Sequence, residues 1–178
     1  MTVSKDGLTL QERVEILPCR EEDLAEIAAI EAASFSEPWS EQGFRDALHL
    51  GESAKLFSAK AGDDLLGYLV LYITPESGEK NPDGSPGRNY FPGEGELETT
   101  AVAKGYRGLG IGHRLIGAMK SYAYEHGILT IFLEVRVSNE AARALYISEG
   151  FIECGMRKGF YRFPDEDAIV MKWEASLD

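Results

Sequence analysis

The sequence predicts an α/β sandwich built on one mixed sheet. Branched and aromatic runs such as Thr130 to Val137 read as strands, and Glu21 to Ser34 and Ile111 to His126 carry apolar residues at helical spacing. The two kinds of segment interleave in the order β-α-α-β-β-β-α-β-α-β-β, a pattern that needs one sheet covered by helices. At 178 residues the chain has room for one domain with a single core and no room for a second full one.

Val14 to Leu17 is expected as the first strand, closed by Pro18. Glu21, Glu22 and Asp23 then open a helix, their acids set favourably in its first turn, with Leu24, Ile27 and Ala28 on one face. Pro38 separates it from a second helix that Ser40 can cap and that runs to about Leu50. Trp39 falls on the turn between them, where it either lines a peptide site or plugs the gap between the helices. Ala54 to Ala59 and Leu65 to Thr74 form a hairpin around Gly62-Asp63-Asp64. Four of the seven prolines fall between Pro75 and Gly93, so this stretch is read as a long surface loop and a tolerated insertion. Glu94 to Ala103 is the fourth strand, and Ile111 to His126 a helix with Ile111, Leu115, Ala118, Met119, Tyr122 and Ala123 toward the sheet. Thr130 to Val137 follows as a central strand, then a helix from Asn139 to Gly150, then strands at Phe151 to Met156 and Ala168 to Trp173.

The turn between the fourth strand and the long helix reads Arg107-Gly108-Leu109-Gly110-Ile111-Gly112. Its glycines remove side chains where a helix begins, so unpaired backbone N–H groups and the positive end of the helix dipole can approach a phosphate. A nucleoside-triphosphate loop needs Gly-Lys-Ser/Thr, but Gly112 is followed by His113 and Arg114. A dinucleotide fingerprint needs a third glycine where His113 stands, and Glu134, at the right separation, lies inside a strand and not at its end. What remains is Arg-x-x-Gly-x-Gly after a strand, either a cradle for phosphates with Arg107 adding local positive charge or a glycine-rich helix entry with no ligand.

Eighteen basic against thirty acidic residues give a net charge of −12, which argues against a nucleic-acid-binding surface and favours basic partners. Met1 to Arg20 holds no signal-peptide core, and the apolar run Leu65 to Ile73 is too short to span a bilayer, so a soluble cytoplasmic protein with no membrane contact is expected. Cys19 and Cys154 have no metal-ligand spacing and are read as ordinary buried thiols.

Glu134 places a carboxylate among Ile131, Phe132, Leu133 and Val135. Without a partner, burial would raise its pKa toward that of a neutral-pH base; paired with Arg136, two residues on along the same face, it would be a structural ion pair. Both readings stay open. Asn139 and Tyr146 lie two helical turns apart and share a face, as an N-cap and a core aromatic or as parts of a polar stripe. A phenol there can return a proton to a leaving thiolate, the reference values being about 10 and about 8.5.

The run F-L-E-V-R-V-S-N-E-A-A-R-A-L-Y-I-S-E-G-F, Phe132 to Phe151, resembles the ribosomal-protein N-terminal alanine acetyltransferases of the RimI type within the GNAT superfamily. So do E-P-W-S at Glu37 to Ser40, the glycine turn, and R-K-G-F-Y and E-D-A-I-V-M nearer the end. The resemblance covers about residues 14 to 174, with 75 to 93 as an insertion in a single acetyltransferase domain. It implies a mixed, mostly antiparallel sheet with helices on both faces, acetyl-CoA as cosubstrate, and no metal. It also implies Glu134 as proton acceptor and Tyr146 as proton donor, with the cofactor held by Thr100, Ala101, Val102, Gly108, Leu109, Gly110, Ile111, Gly112, His113 and Asn139. The acceptor it implies is the N-terminus of a protein, with a ribosomal protein as the expected class. One departure is visible: the fourth strand reads Leu97-Glu98-Thr99-Thr100 where the family has two apolar residues, Asn and an apolar residue. Glu96 and Glu98 therefore stand as alternative bases. Lysine or small-amine acetylation, and acyl-CoA binding without catalysis, are the rival functions.

Overall fold

The computed structural model describes residues 9–85 and 87–176. Met1 to Leu8, Pro86, Leu177 and Asp178 lie outside the described residues, and with them the start of the segment read above for a signal-peptide core. The elements are α1 (Leu10–Arg13), β1 (Glu15–Pro18), α2 (Leu24–Ser34), α3 (Glu41–Leu48), β2 (Ala54–Ala61), β3 (Asp64–Thr74), β4 (Gly93–Val102), α4 (Ile111–Glu125), β5 (Ile128–Arg136), α5 (Glu140–Ser148), β6 (Ile152–Arg162) and β7 (Asp165–Glu174). The strands hydrogen-bond in the order β1-β2-β3-β4-β5-β7-β6. The β4–β5 pair is parallel, whereas β1–β2, β5–β7 and β6–β7 are antiparallel. Mixed and mostly antiparallel, the sheet is the one the sequence implied.

The chain divides into two compact units, one comprising the residues to Val70 with Thr99–Met119, the other Leu71–Glu98 with the residues from Lys120. In the first, Leu24 and Ile27 of α2 and Phe44 of α3 are essentially inaccessible, and Phe44 meets the Tyr68 ring edge-on at 5.4 Å. Trp39 packs on Phe44 of α3 at 5.4 Å and is half-buried. The Ser40 hydroxyl accepts from Gly43 N–H at 3.1 Å, capping α3 as its position indicated. One short helix was not anticipated: Thr9 and Glu12 form a reciprocal capping box that starts α1.

In the second unit the central strand β5 pairs with β7 from Thr130↔Glu174 to Arg136↔Ala168, and β7 pairs in turn with β6. The last hairpin is much longer than expected. Its strands run to Arg162 and back from Asp165, around a cis Phe163–Pro164 bond, where the sequence suggested strands only over 151–156 and 168–173. Nearly every residue of β6 is exposed, so no alternation of apolar and polar residues marks it; cross-strand pairing alone makes it a strand. Cys154 lies on this strand and is exposed, which corrects its reading as a buried thiol, whereas Cys19 is buried and its thiol is pushed up to about 11, chiefly by desolvation. Between β3 and β4 the described residues fold back on one another: Ser77 and Phe91 exchange backbone hydrogen bonds, and Glu76 accepts from Lys80 at 2.9 Å and from the Tyr90 hydroxyl at 2.5 Å.

Candidate active site

The glycine turn belongs to the first unit. Gly108 and Gly110 both adopt φ of +77°, a left-handed backbone that side-chain-bearing residues rarely take, and a Cβ on either would meet no protein atom within 4 Å. The turn is therefore glycine-rich for its backbone path, and it leaves open space at the start of α4. Arg114 N–H bonds back to Gly110 O at 3.2 Å, so the N–H groups just before it fall in the first turn, where helices have no internal acceptors. From the other side Gln11 of α1 braces the turn, donating to Leu109 O at 3.2 Å and accepting from Arg114 at 2.9 Å. Arg107 Nε donates to Val102 O at 2.9 Å and its Nη2 to Ser34 Oγ at 3.1 Å, so this guanidinium ties the end of β4 to the end of α2. His113 is exposed. The donor set suits a pyrophosphate.

On β4 burial alternates strictly from Gly93 to Thr99, which turns Glu94, Glu96 and Glu98 to one open face while Gly95, Leu97 and Thr99 enter the core. Gly95 is needed there, since a Cβ would come within 3.0 Å of Leu71 and 3.2 Å of Ile131. The parallel register Leu97↔Leu133 brings β5 alongside, its Ile131, Leu133 and Val135 buried and its alternate residues, including Glu134, facing the other way. Glu96, Glu98 and Glu134 of the second unit therefore interact on one face. The Glu134 side chain is 11% exposed, with Arg157 of β6 at 3.0 Å. Its pKa is raised, first by desolvation; Arg157 pulls it down, and the charge of Glu96 and a hydrogen bond with it push it up. Glu98 still reaches solvent, yet desolvation, then the charges of Glu96 and Glu134, push its carboxyl up to about 7.

Arg136 is not the partner of Glu134. It pairs with Glu166 at 3.2 Å, donates to Phe163 O and Pro164 O, and stacks on Tyr161 at 4.1 Å. The ion-pair alternative thus has the wrong arginine. Glu166 in turn accepts from Ser138 N–H at 2.5 Å and from its hydroxyl at 3.0 Å, which fixes the chain just before α5. Asn139 caps α5, its Oδ1 accepting from Ala142 N–H at 3.2 Å. Tyr146 is 7% exposed beside Phe151, and burial, then the Tyr161 phenol, raise its pKa well above the ordinary 10. Tyr161, half-buried, is itself pushed up to about 12, chiefly by desolvation. Arg157 and Tyr161 were not singled out from sequence, although both lie within the R-K-G-F-Y motif that marked the hairpin.

The Acetyltransferase (GNAT) family model matches residues 24–151. The chain belongs to the GNAT family. GNAT relatives include the N-alpha-acetyltransferase RimI of Mycobacterium tuberculosis, 33% identical over 152 residues that cover 84% of this chain and 85% of that one. Among solved structures, the ribosomal-protein-S18-alanine N-acetyltransferase of Escherichia coli superposes with a TM-score of 0.75 at 28% identity, covering 93% of this chain and 96% of that one. A Mycobacterium leprae protein described as uncharacterized is 45% identical over 84 residues, but the chain spans only 23% of its length. The GNAT chain is an acetyl-CoA-dependent N-acetyltransferase. Among the described residues of this GNAT protein, no helix is long and apolar enough to cross a membrane.

Proposed function

We propose that the chain acetylates the N-terminal α-amine of a protein, as the name of the Mycobacterium tuberculosis relative supports, a ribosomal protein being the acceptor class that the name of the Escherichia coli relative supports, and that it does so as one cytoplasmic acetyltransferase domain. The observation that carries this reading is the mostly buried Glu134 carboxyl, its pKa raised by desolvation and opposed by Arg157 at 3.0 Å.

Acetyl-CoA supplies an activated acetyl thioester. The turn from Gly108 to His113 holds its pyrophosphate through backbone N–H groups; Arg107 and the end of β4, Thr100 to Val102, shape the adjoining wall, and Asn139 contributes from the start of α5. The amine arrives as a cation, attracted by the carboxylates of β4 and β5. Glu134 takes its proton, so that the nitrogen lone pair can attack the acetyl carbon, and Glu96 and Glu98 share that proton afterwards. Tyr146 stays protonated at neutral pH because burial disfavours the phenolate, and it hydrogen-bonds to the sulfur as negative charge develops there. Because its acidity falls further below that of a thiol of about 8.5, proton delivery follows C–S cleavage and does not precede it, and the second proton lost by the new amide nitrogen restores the phenol.

The same carboxylates favour an α-amine over lysine. Neutralising the amine at pH 7 costs roughly 1 kcal/mol for a reference α-amine and roughly 4.6 kcal/mol for lysine. Nearby negative charge stabilises the ammonium and enlarges both costs, which lysine can bear less easily. The test is coenzyme A release with an Ala-initiated peptide, its formylated counterpart, an N-blocked lysine peptide and spermidine. Turnover confined to the free N-terminus is expected; equal turnover of blocked lysine or spermidine would replace the acceptor assignment, and no turnover with any amine would favour the non-catalytic binder.

A further inference from the structure

α2 places Leu24, Ile27 and Glu31 along one stripe, and Glu31 is as deeply buried as the two apolar residues, at 2% exposure. A leucine would satisfy packing there, whereas a buried carboxylate is costly unless donors converge on it. Three do. Oε1 accepts from Trp39 N–H at 3.1 Å, and Oε2 accepts from the Thr99 hydroxyl at 3.0 Å and from the Tyr68 hydroxyl. The donors belong to the α2–α3 turn, to β3 and to β4, so one side chain joins three segments that are remote in sequence. Each bond is charge-assisted, and the two hydroxyls also lie within 3.3 Å of one another.

The position of this clip matters more than its strength. Thr99 precedes Thr100, whose hydroxyl donates to Tyr68 O at 2.7 Å, at the strand end assigned above to the acyl carrier. The turn leaving α2 is tied at its other end as well, where Ser34 accepts from Arg107 of the glycine turn. Phe35, Ser36, Glu37 and Pro38, all exposed, are therefore suspended between two anchors, both connected to β4 or to the turn that follows it. We propose that Glu31 is a positioning residue: it sets the 35–39 turn against the end of β4, and the affinity for the acceptor peptide depends on that setting. The proposal rests on the N-terminal acetyltransferase reading. It also gives Thr99 a reason to stand where the family pattern has Asn, since a hydroxyl donates to Glu31 without presenting a second polar group to the core.

Glu31→Gln keeps the shape but offers one carbonyl oxygen to three donors and turns an N–H toward at least one of them. Two readouts test the proposal. In the protein without substrates, the Trp39 amide should exchange with solvent about tenfold faster than in the parent, as expected for loss of one buried hydrogen bond to a charged group. In steady state, KM for the Ala-initiated peptide should rise about tenfold while KM for acetyl-CoA stays within about twofold. Thr99→Val should move both in the same direction by less, and Thr99→Ser, which restores the hydroxyl, should return them to the parent values. Unchanged Trp39 exchange and acceptor KM in Glu31→Gln, with only the melting temperature lowered, would reduce Glu31 to a core residue. If Glu31→Gln does not fold, the Thr99→Val and Thr99→Ser pair decides by the same readouts. Parent turnover on free and blocked peptides, measured first, tests the acceptor reading separately, and the KM ratio is then taken on whichever amine turns over.

Discussion

Arg157 Nη1 lies 3.0 Å from Glu134 Oε1, joining a guanidinium that is 57% exposed to a carboxylate that is 11% exposed. The cation is well solvated and the anion is not, so the pair adds little to stability, while it bears directly on when Glu134 loses its proton. Arg157 opposes the rise that desolvation and Glu96 impose. Replacing it by Met should therefore move the acid limb of kcat/KM against pH to higher pH, with losses that are largest on the acid side and fade as pH rises. A limb that stays in place in Arg157→Met would mean that Glu134 is not the group titrating in the free enzyme.

Glu134→Gln retains shape but cannot accept a proton at neutral pH, and turnover should fall roughly 10²- to 10⁴-fold with acetyl-CoA affinity preserved. Rates and thermal melts on the same samples separate this from unfolding. A folded variant at full speed, beside a crippled Glu98→Gln, would move the base to β4.

Glu98 makes a thermodynamic prediction of its own. Its carboxyl titrates at about 7 in the folded chain against an ordinary 4.5, so between those values the folded state holds more protons than the unfolded one. Stability therefore declines as pH rises through this window, and the neutral Gln of Glu98→Gln escapes the decline. The melting temperature of the variant minus that of the parent should grow between pH 5 and pH 8. A difference that is flat with pH would show that Glu98 is not perturbed.

The glycine turn should depend on backbone more than on charge. Gly110→Val forces a β-branched residue to φ near +77° and fills the open space beside the helix start, which should abolish acetyl-CoA binding by calorimetry. Arg107→Ala should weaken binding only modestly, through a loosened Val102 and Ser34. Parent-like binding by both variants would remove the turn from the cofactor site.

Tyr146→Phe removes a hydroxyl whose proton burial holds firmly. Turnover should fall at least tenfold, an order of magnitude typical of a lost proton donor, with cofactor affinity nearly intact. Equal rates would make Tyr146 a packing partner of Phe151 and pass the donor role to water or Tyr161.

Residues whose periodicity matched their burial were legible in the sequence. The stripe of α4 followed from spacing, although Ile116 is buried where Ala118 and Tyr122 were expected to be, and β5 followed from its density of branched and aromatic residues. The Asn139 and Ser40 caps were readable because capping is local chemistry, and so was the T-x-x-E box at Thr9, which was passed over. The partners of charged side chains were not readable. Arg136 and Arg157 stand on different strands, and which one meets Glu134 depends on the β6–β7 register, which slips twice and leaves no periodic trace. Glu31 escaped notice for the same reason, since its three donors converge only after β3 and β4 have folded beside α2.

The ring closed by Ser77 and Phe91, with backbone distances of 3.0 and 2.8 Å, gives the excursion between β3 and β4 a narrow neck. Inside it Gly78 lies against Asn89 O and Gly87 against Glu79 O so closely that neither tolerates a side chain, which makes the contents of the ring specific to itself. The neck carries no such demand on the sheet. It behaves as a socket, so replacing the stretch beyond Ser77 and before Phe91 by a short reporter peptide should leave the alignment of β3 and β4 in place.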